Sequence, residues 1–549
     1  MITYSDVLKR FGCYWHTLRY LRWIQIQERL RKRFYSPKID LSSFEPVRVC
    51  TDDWLQSANR SQRIVGSDTF LFLNEKRSVV FQSDWNNTDW EKLWLYNLHY
   101  FDDLTAVGSE QRTAWHQALI QRWIDENPAG QANGWEPYPS SLRIVNWIKW
   151  SLAGNILEDS WQYSLAVQVR YLSQNLETHL LGNHLFANAK ALCFAGLFFD
   201  GEEANGWYKT GFQLIEREVV EQLCDDGGNF ELSTMYHITF LEDLLDLINL
   251  HRAYSRAVPA GVESSISPML KWLQAMCHPD GEISFFNDAA LGITPAVSEI
   301  MDYAGRLGFL TQSVKDGLVD LPSSGYSRIA MGDVVALIDR AAVGPDYLPG
   351  HAHADTLSFE LSLFGKRVVV NSGTSAYGTG GQRQIERGTA NHSTVLIDGE
   401  NSSEVWSGFR VARRAYVTER VNRENEQSIR LSACHNGYKR LKGKPQHCRE
   451  WLFEDNALLI ADHITGKGEH QAIAIFPLHP DVVLQNACFN LCFLLVDGKQ
   501  VRVEFEGNGE LEVVDSSYHP EFGLSIANQQ LHYKVKMILP IEITTRISW

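Results

Sequence analysis

The 549-residue sequence predicts a multidomain α+β protein, with a helical N-terminal part followed by an antiparallel β part. Three observations predict it. Apolar residues recur with a helical period from about residue 94 to 310, and with a period of two from about 325. Turn pairs such as Asp398-Gly399, Asp455-Asn456 and Asp497-Gly498 crowd the second part. The length also exceeds what one hydrophobic core organises, so two or three domains are expected.

Residues 1–90 read as a basic amphipathic segment and lead-in. Lys9, Arg10, Arg19, Arg22, Arg29, Arg31, Lys32 and Arg33 stand against Asp6 and Glu28, interleaved with Phe11, Trp15, Leu18, Leu21, Trp23 and Ile26. Such a segment either packs on its own acidic protein or makes peripheral contact with an anionic membrane through residues 1–35. The start, Met1 to Asp6, shows no signal-peptide pattern, and no run has the length of a membrane span, so a cytoplasmic or inner-membrane-associated protein is expected. Net charge is −15, which argues against nucleic acid as a partner. Nine scattered cysteines without a Cys-x-x-Cys pair read as buried free thiols. Oligomeric state is not legible.

Residues 91–320 form the helical unit. Ser109 can cap a helix stopped by Pro128, and helices follow over 141–152, 160–174, 176–199, 206–223, 236–254 and 265–276. Successive helices without intervening strands suggest a bundle, solenoid or toroid. Residues 321–549 hold short strands over 334–338, 357–363, 367–370, 394–397, 429–433, 451–453, 458–462, 472–476, 493–496, 501–505 and 511–514. These suggest a sandwich or barrel.

Four clusters carry candidate chemistry. Gly182-Asn183-His184 lies in the apolar helix 176–199. Glu231 precedes Ser233 or Thr234, a candidate helix cap, and Tyr236 then falls in the first turn. His351-Ala-His353-Ala-Asp355 leads into the alternating run 357–363; if the strand reaches back, all three side chains share a face. Tyr377, Arg383, Arg387 and His392 follow, and two arginines beside a histidine suit a carboxylate or sulfate guest.

In this order the clusters resemble the heparinase II/III-type polysaccharide lyases, through Gly182-Asn-His184, Phe230-Glu-Leu-Ser-Thr-Met-Tyr-His237, His351-Ala-His-Ala-Asp355, Arg387-Gly-Thr-Ala-Asn-His392 and Trp406-Ser-Gly-Phe-Arg410. Trp94-Leu-Tyr-Asn-Leu-His-Tyr-Phe101 and Trp135-Glu-Pro-Tyr-Pro139 resemble a subgroup encoded among exopolysaccharide or O-antigen genes. The resemblance implies an N-terminal α/α toroid (an incomplete barrel), a C-terminal antiparallel β-sandwich, and cleavage of a uronic-acid polysaccharide by β-elimination, with an acidic polysaccharide as partner. It implies that Asn183 and His184, helped by His351, neutralise the uronate carboxylate, as an oxyanion hole does. Tyr236 is then base, acid or both, and Tyr377 orients the sugar or shares the proton. Arg143, Glu231, Arg383 and Arg387 become substrate contacts. An ordinary tyrosine titrates near ~10, so a phenolate at Tyr236 needs cations, for which His351, Arg383 and Arg387 are the candidates.

The resemblance also implies a structural zinc or other divalent ion at His353, Asn371 and His392, with no organic cofactor. Asn371 stands where the family has Asp, and an amide is the poorer ligand; Asp355 is a possible substitute. Two other classes compete. A cupin-type metal enzyme using His-x-His would leave the helical part and Tyr236 idle. The other is a lyase-like protein that grips an acidic glycan without cleaving it, which the absence of new ultraviolet absorbance would reveal.

Overall fold

The computed structural model describes residues 4–310 and 313–549, with side chains from residue 10 onward within the first helix. Met1, and the side chains of Asp6 and Lys9, lie outside the described residues. In chain order the helices are α1 (Tyr4–Leu18), α2 (Trp23–Phe34), α3 (Lys92–Tyr100), α4 (Thr113–Glu126), α5 (Pro137–Leu152), α6 (Asp159–Ser173), α7 (Gly182–Phe198), α8 (Gly201–Gln222), α9 (Thr234–Ala253), α10 (Val262–Ala275) and α11 (Val297–Arg306). A mixed helix and sheet architecture with a sheet-rich C-terminal part is therefore observed.

Local chemistry sets the helix boundaries. Ser109–Arg112 is a 3-10 turn, so α4 starts at Thr113 and ends before Pro128. Pro137 opens α5 at the one position where a missing N–H costs nothing. The largest departure is α7, which begins at Gly182 rather than 176. Leu181 and Gly182 have φ of 68° and 55°, and a β-carbon at 182 would run into Leu348 and sit 3.0 Å from Glu231. Asn183 and His184 thus occupy a helix N-terminus, not a helix interior. Helix α7 is apolar nearly all round and packs against α5, α8 and α9. Trp85, Trp94, Trp123 and Trp147 fill the helical core with no exposed surface.

Sheets dominate from Gly317, so the first strand precedes the boundary read at 320/321. A five-stranded antiparallel meander runs Gly317–Leu321, Tyr326–Met331, Val334–Asp339, Phe359–Leu363, Lys366–Val369. An eight-stranded sheet follows the order Val417–Glu424, Ile429–His435, Gln446–Glu454, Ala457–Thr465, Ile541–Ser548, Lys499–Glu506, Leu491–Val496, Val483–Cys488. A four-stranded sheet joins Gly509–Tyr518, Ile526–Ile538, Glu469–Pro477 and Val395–Ile397. Side chains from all three share one buried core, including Phe359, Trp451, Phe476 and Tyr533. Three strands within Ile64–Ser78 form a small sheet in the lead-in. Two sequence expectations are corrected here. The strand begins at Phe359, so His351, His353 and Asp355 lie in a loop and share no strand face. Cys434 and Cys448, direct partners across antiparallel strands, form a disulfide, so these two are not free thiols.

The N-terminal helices bridge both parts. Thr17 Oγ1 donates to Val411 O at 3.3 Å and accepts from Trp406 Nε1 at 3.0 Å. Arg22 pairs with Glu221 at 2.5 Å, and buried Gln25 donates to Tyr347 O at 3.2 Å. Residues 10, 13, 14 and 17 of α1 therefore face the β part, one helical stripe. Other apolar side chains of the two helices are open to solvent: Phe11 is 70% exposed and Trp15 63% on α1, and Trp23 72% and Phe34 87% on α2. Among the described residues no helix is long and apolar enough to cross a membrane.

Candidate active site

The site forms where the start of α9, the segment between α10 and α11, and two loops of the β part converge. Ser233 caps α9 by accepting from the Tyr236 N–H at 3.2 Å, and its hydroxyl donates to the backbone oxygen of Asp288. That fixes Tyr236 in the first turn. Its phenolic oxygen lies 2.9 Å from that of Tyr377. The His351 ring packs on the Tyr236 face with centroids 3.9 Å apart. Tyr377 is held edge-on by Phe409 and Phe522, at 5.1 and 4.8 Å.

Beneath these groups sits Asp288, with no exposed surface. One carboxylate oxygen accepts from His351 Nδ1 at 2.9 Å and from Arg383 Nη2 at 2.7 Å. The other accepts from His353 Nε2 at 2.8 Å and from Arg383 Nη1. Burial alone would raise this carboxyl, but the Arg383 charge and these hydrogen bonds hold it well below its ordinary range. Bonding at Nδ1 leaves Nε2 of His351 facing Glu231 Oε2, 3.5 Å away. Burial pushes the Glu231 carboxyl up. Its other oxygen accepts from the Asn183 N–H at 3.3 Å, at the positive end of α7.

His184, in the same turn, has 31% of its side chain exposed and bonds through Nδ1 to Glu177 at 3.1 Å. Burial pulls its imidazolium down, but the Glu177 charge outweighs this and the net shift is upward. Tyr138 packs on its ring with centroids 4.6 Å apart.

The structure thus brings together Asn183, His184, Glu231, Tyr236, His351 and Tyr377. Three arginine expectations are corrected. Arg143 is fully buried, stacked 3.7 Å over Trp123 and bonded to Gln168 and the His99 carbonyl, so no substrate reaches it. Arg383 is spent on Asp288. Arg387 is also fully buried and donates to the carbonyls of Ala352 and Gly408 at 2.8 to 3.0 Å, fastening the histidine loop to the Trp406–Arg410 turn. The expected lowering of Tyr236 is corrected too. Burial, Tyr377 and Asp288 drive its phenol well above the ordinary value, and Arg383 is already paired with Asp288. Tyr236 therefore holds its proton.

Behind Asp288, His353 and His392 lie with ring centroids 5.3 Å apart, and Asn371 Oδ1 accepts from His392 Nδ1 at 3.0 Å. His353 Nδ1 and His392 Nε2 are buried without hydrogen-bond partners, and burial pulls these imidazoles down to about 4 and about 3. Two neutral imidazoles with free lone pairs, each oriented by a second hydrogen bond, suit a divalent metal. Asn371 orients His392 in this geometry, with its oxygen already engaged. Asp355 instead accepts from the Asn287 N–H at 3.1 Å and neighbours Asp339, whose carboxyl burial and Asp355 together push well up. The one cluster of three His, Cys, Asp or Glu donors close enough for an ion among the described residues is Glu419, Cys434 and Cys448, and its two sulfurs are bonded to each other.

Asp288, Glu177 and Tyr138 escaped the sequence reading. The available signals were a polar pair, Asn287-Asp288, inside the apolar run 283–290, and the Trp135–Pro139 motif that contains Tyr138.

Comparison with known proteins follows the same division of the chain. Residues 84–305 match the Heparinase II/III N-terminus, and residues 314–549 match Heparinase II/III-like, C-terminal. A heparin-sulfate lyase of Bacteroides stercoris is 27% identical over 312 residues, 52% of this chain and 44% of that protein. A heparin-sulfate lyase of Pedobacter heparinus is 24% identical over 341 residues, 54% of this chain and 50% of that protein. The alignments thus span about half the length of these relatives. The crystal structure of heparinase III superposes with a TM-score of 0.70 at 18% identity, covering 84% of this chain and 79% of that one. Heparan sulfate lyase HepC from Pedobacter heparinus does so with a TM-score of 0.58 at 17% identity, covering 96% and 87%. At such identity these two show a shared fold.

Proposed function

The chain belongs to the heparinase II/III family, and from that premise we propose that it is a polysaccharide lyase, a carbon–oxygen lyase that cleaves a uronic-acid glycan by β-elimination. The observation that carries this reading is the Tyr236–Tyr377 phenol pair at 2.9 Å, stacked against a His351 that Asp288 orients. His351 Nε2 takes the C5 proton. The electron pair forms the C4–C5 double bond as the C4–O bond breaks, and the departing oxygen takes the Tyr236 proton. The proton on His351 then returns to the phenolate through solvent. One group accepts while its neighbour donates because Asp288 engages Nδ1 of His351 and leaves Nε2 as the acceptor, whereas burial keeps Tyr236 protonated. His184 and the N-terminus of α7 with Asn183 stabilise the enolate-like carboxylate, and Tyr377 aligns the sugar.

The fold is read further as an α/α toroid followed by a β-sandwich, which the superposition on heparinase III supports. A binding protein without activity is not favoured, since the acid, the base and the base's orienting carboxylate all stand within contact of one another. His353 and His392 would hold a zinc or similar ion through the two partnerless nitrogens, and when bound it would clamp the histidine loop to the segment after residue 369. Peripheral contact with an anionic inner-membrane surface rests on the exposed side chains of Phe11, Trp15, Trp23 and Phe34, flanked by Arg19, Arg31 and Arg33. The substrate would then be a cell-surface uronate glycan of the exopolysaccharide or O-antigen kind.

The test is an absorbance screen for unsaturated ends on heparan sulfate, hyaluronan, alginate and the producing organism's own polysaccharide. A new ultraviolet band on one of them, lost in Tyr236→Phe, is expected; no band on any polymer would refute the lyase. Anionic vesicles should sediment the protein and neutral ones should not.

A further inference from the structure

A second cavity, of about 550 Å³, opens between α1 and the β part and is lined by Arg10, Cys13, Tyr14, Thr379, Trp406, Ser407 and Arg410. Its lining residues in the β part are chain neighbours of the reaction centre. Thr379 follows Tyr377 by two residues, and Ser407 and Arg410 flank Phe409, whose ring lies 5.1 Å from Tyr377 and 5.9 Å from His351. Its charges are unbalanced. Among the described residues neither Arg10, Arg410 nor nearby Arg29 is in an ion pair, although most of the protein's arginines are. Arg10, Tyr14 and Arg410 line it together, with the Arg410 guanidinium 5.5 Å over the Tyr14 ring, and the two arginines hold that phenol below its ordinary value. The Arg410 guanidinium also lies 5.0 Å over Trp406, and Tyr14 meets Trp406 edge-on at 4.8 Å.

Guanidinium groups that converge without a carboxylate repel one another, and an oxyanion between them removes that cost. An aromatic pair beside them offers a face for a sugar ring. In a protein of net charge −15 such a spot is conspicuous. We propose that this cavity is an outer subsite for an anionic sugar unit, in which Arg10 and Arg410 grip the carboxylate or sulfate of a glycan chain leaving the cleft. The occupant rests on the lyase reading; the anion site itself does not. One wall, Arg10, Cys13 and Tyr14 of α1, lies outside the family-matched residues, and the other, Thr379, Trp406, Ser407 and Arg410, lies inside them. The subsite also gives the basic N-terminal segment a role inside the protein: the residues 10, 13 and 14 stripe meets substrate while Phe11 and Trp15 stay exposed.

The experiment uses the full-length protein with Arg10→Gln and Arg410→Gln, both exposed and outside the reaction centre, after circular dichroism confirms that each folds. Binding and cleavage are measured on size-defined heparan sulfate and on unsulfated hyaluronan and alginate oligosaccharides. Each variant should bind long chains about tenfold more weakly and with a shallower salt dependence, and raise KM on them, with kcat on the shortest cleaved oligosaccharide unchanged. A loss confined to heparan sulfate would assign sulfate, and a loss on all three would assign carboxylate. Unchanged KM, affinity and salt dependence in both variants would overturn the subsite and leave the lyase standing. Arginine-dependent binding without cleavage would do the reverse. No binding of any chain by the unsubstituted protein would overturn the subsite as well.

Discussion

His351 and His353 are two residues apart and bind opposite oxygens of one carboxylate, yet they serve different regions. His351 has 13% of its side chain exposed and lies against Tyr236 in the cleft. His353 has 1% exposed and faces His392 in a closed pocket. The difference teaches that the shared partner sets the tautomer, while access and the second neighbour set the chemistry. A reachable imidazole beside a phenol can exchange protons with substrate. A sealed one beside another imidazole can only hold an ion or a loop.

The largest expected effect falls on the cleft side. Tyr236→Phe should lower the initial rate of absorbance increase by about 10²- to 10⁴-fold, with a melting temperature close to that of the unsubstituted protein. A rate near the original would remove the acid from the scheme. Asp288→Asn should strike both regions at once. It leaves Arg383 buried and unpaired, which costs about 3 to 5 kcal/mol in denaturant unfolding, and it releases both histidine rings. Loss of activity with unchanged stability would show that the two regions are less coupled than their common carboxylate suggests.

Asn371→Ala sharpens the comparison from the rear. Without the acceptor that orients His392, metal affinity should fall by about 10- to 100-fold, read by metal analysis after dialysis. A fully folded, metal-free protein that gains no melting temperature with added zinc would remove the ion from this pocket. The smallest effect is a pH shift. Glu177 raises His184, so the imidazolium survives to higher pH than usual and is lost as pH climbs through that raised value. Glu177→Gln removes the partner that outweighs burial, so the alkaline limb of kcat/KM should move to lower pH; an unmoved limb would separate His184 from carboxylate binding.

Much of this was legible in the chain. Helical periods marked most helices between 113 and 275, and short apolar or alternating runs marked many strands, although the buried strands Tyr326–Met331, Ile526–Ile538 and Ile541–Ser548 were missed. Val417–Glu424 escaped because it is exposed along most of its length and so carries no alternation. The start of α7 escaped because Leu176 and Leu180 keep a helical spacing, whereas the stop is a left-handed backbone at Leu181 and Gly182. Tyr236 was legible through its cap, a local signal. Asp288 was not, since its partners lie 63, 65 and 95 residues away.

By itself the sequence determined the two-part architecture and the identities of the phenols and imidazoles, because periodicity, caps and motif order are local properties. Tertiary structure alone decided their roles. It spent Arg143, Arg383 and Arg387 on internal acceptors, left Arg10 and Arg410 without a carboxylate partner among the described residues, and made one buried carboxylate the hinge between a cleft histidine and a sealed one. The physical reason is that a charge is defined by its nearest partner and its distance from water, and both are set by residues far apart in the chain.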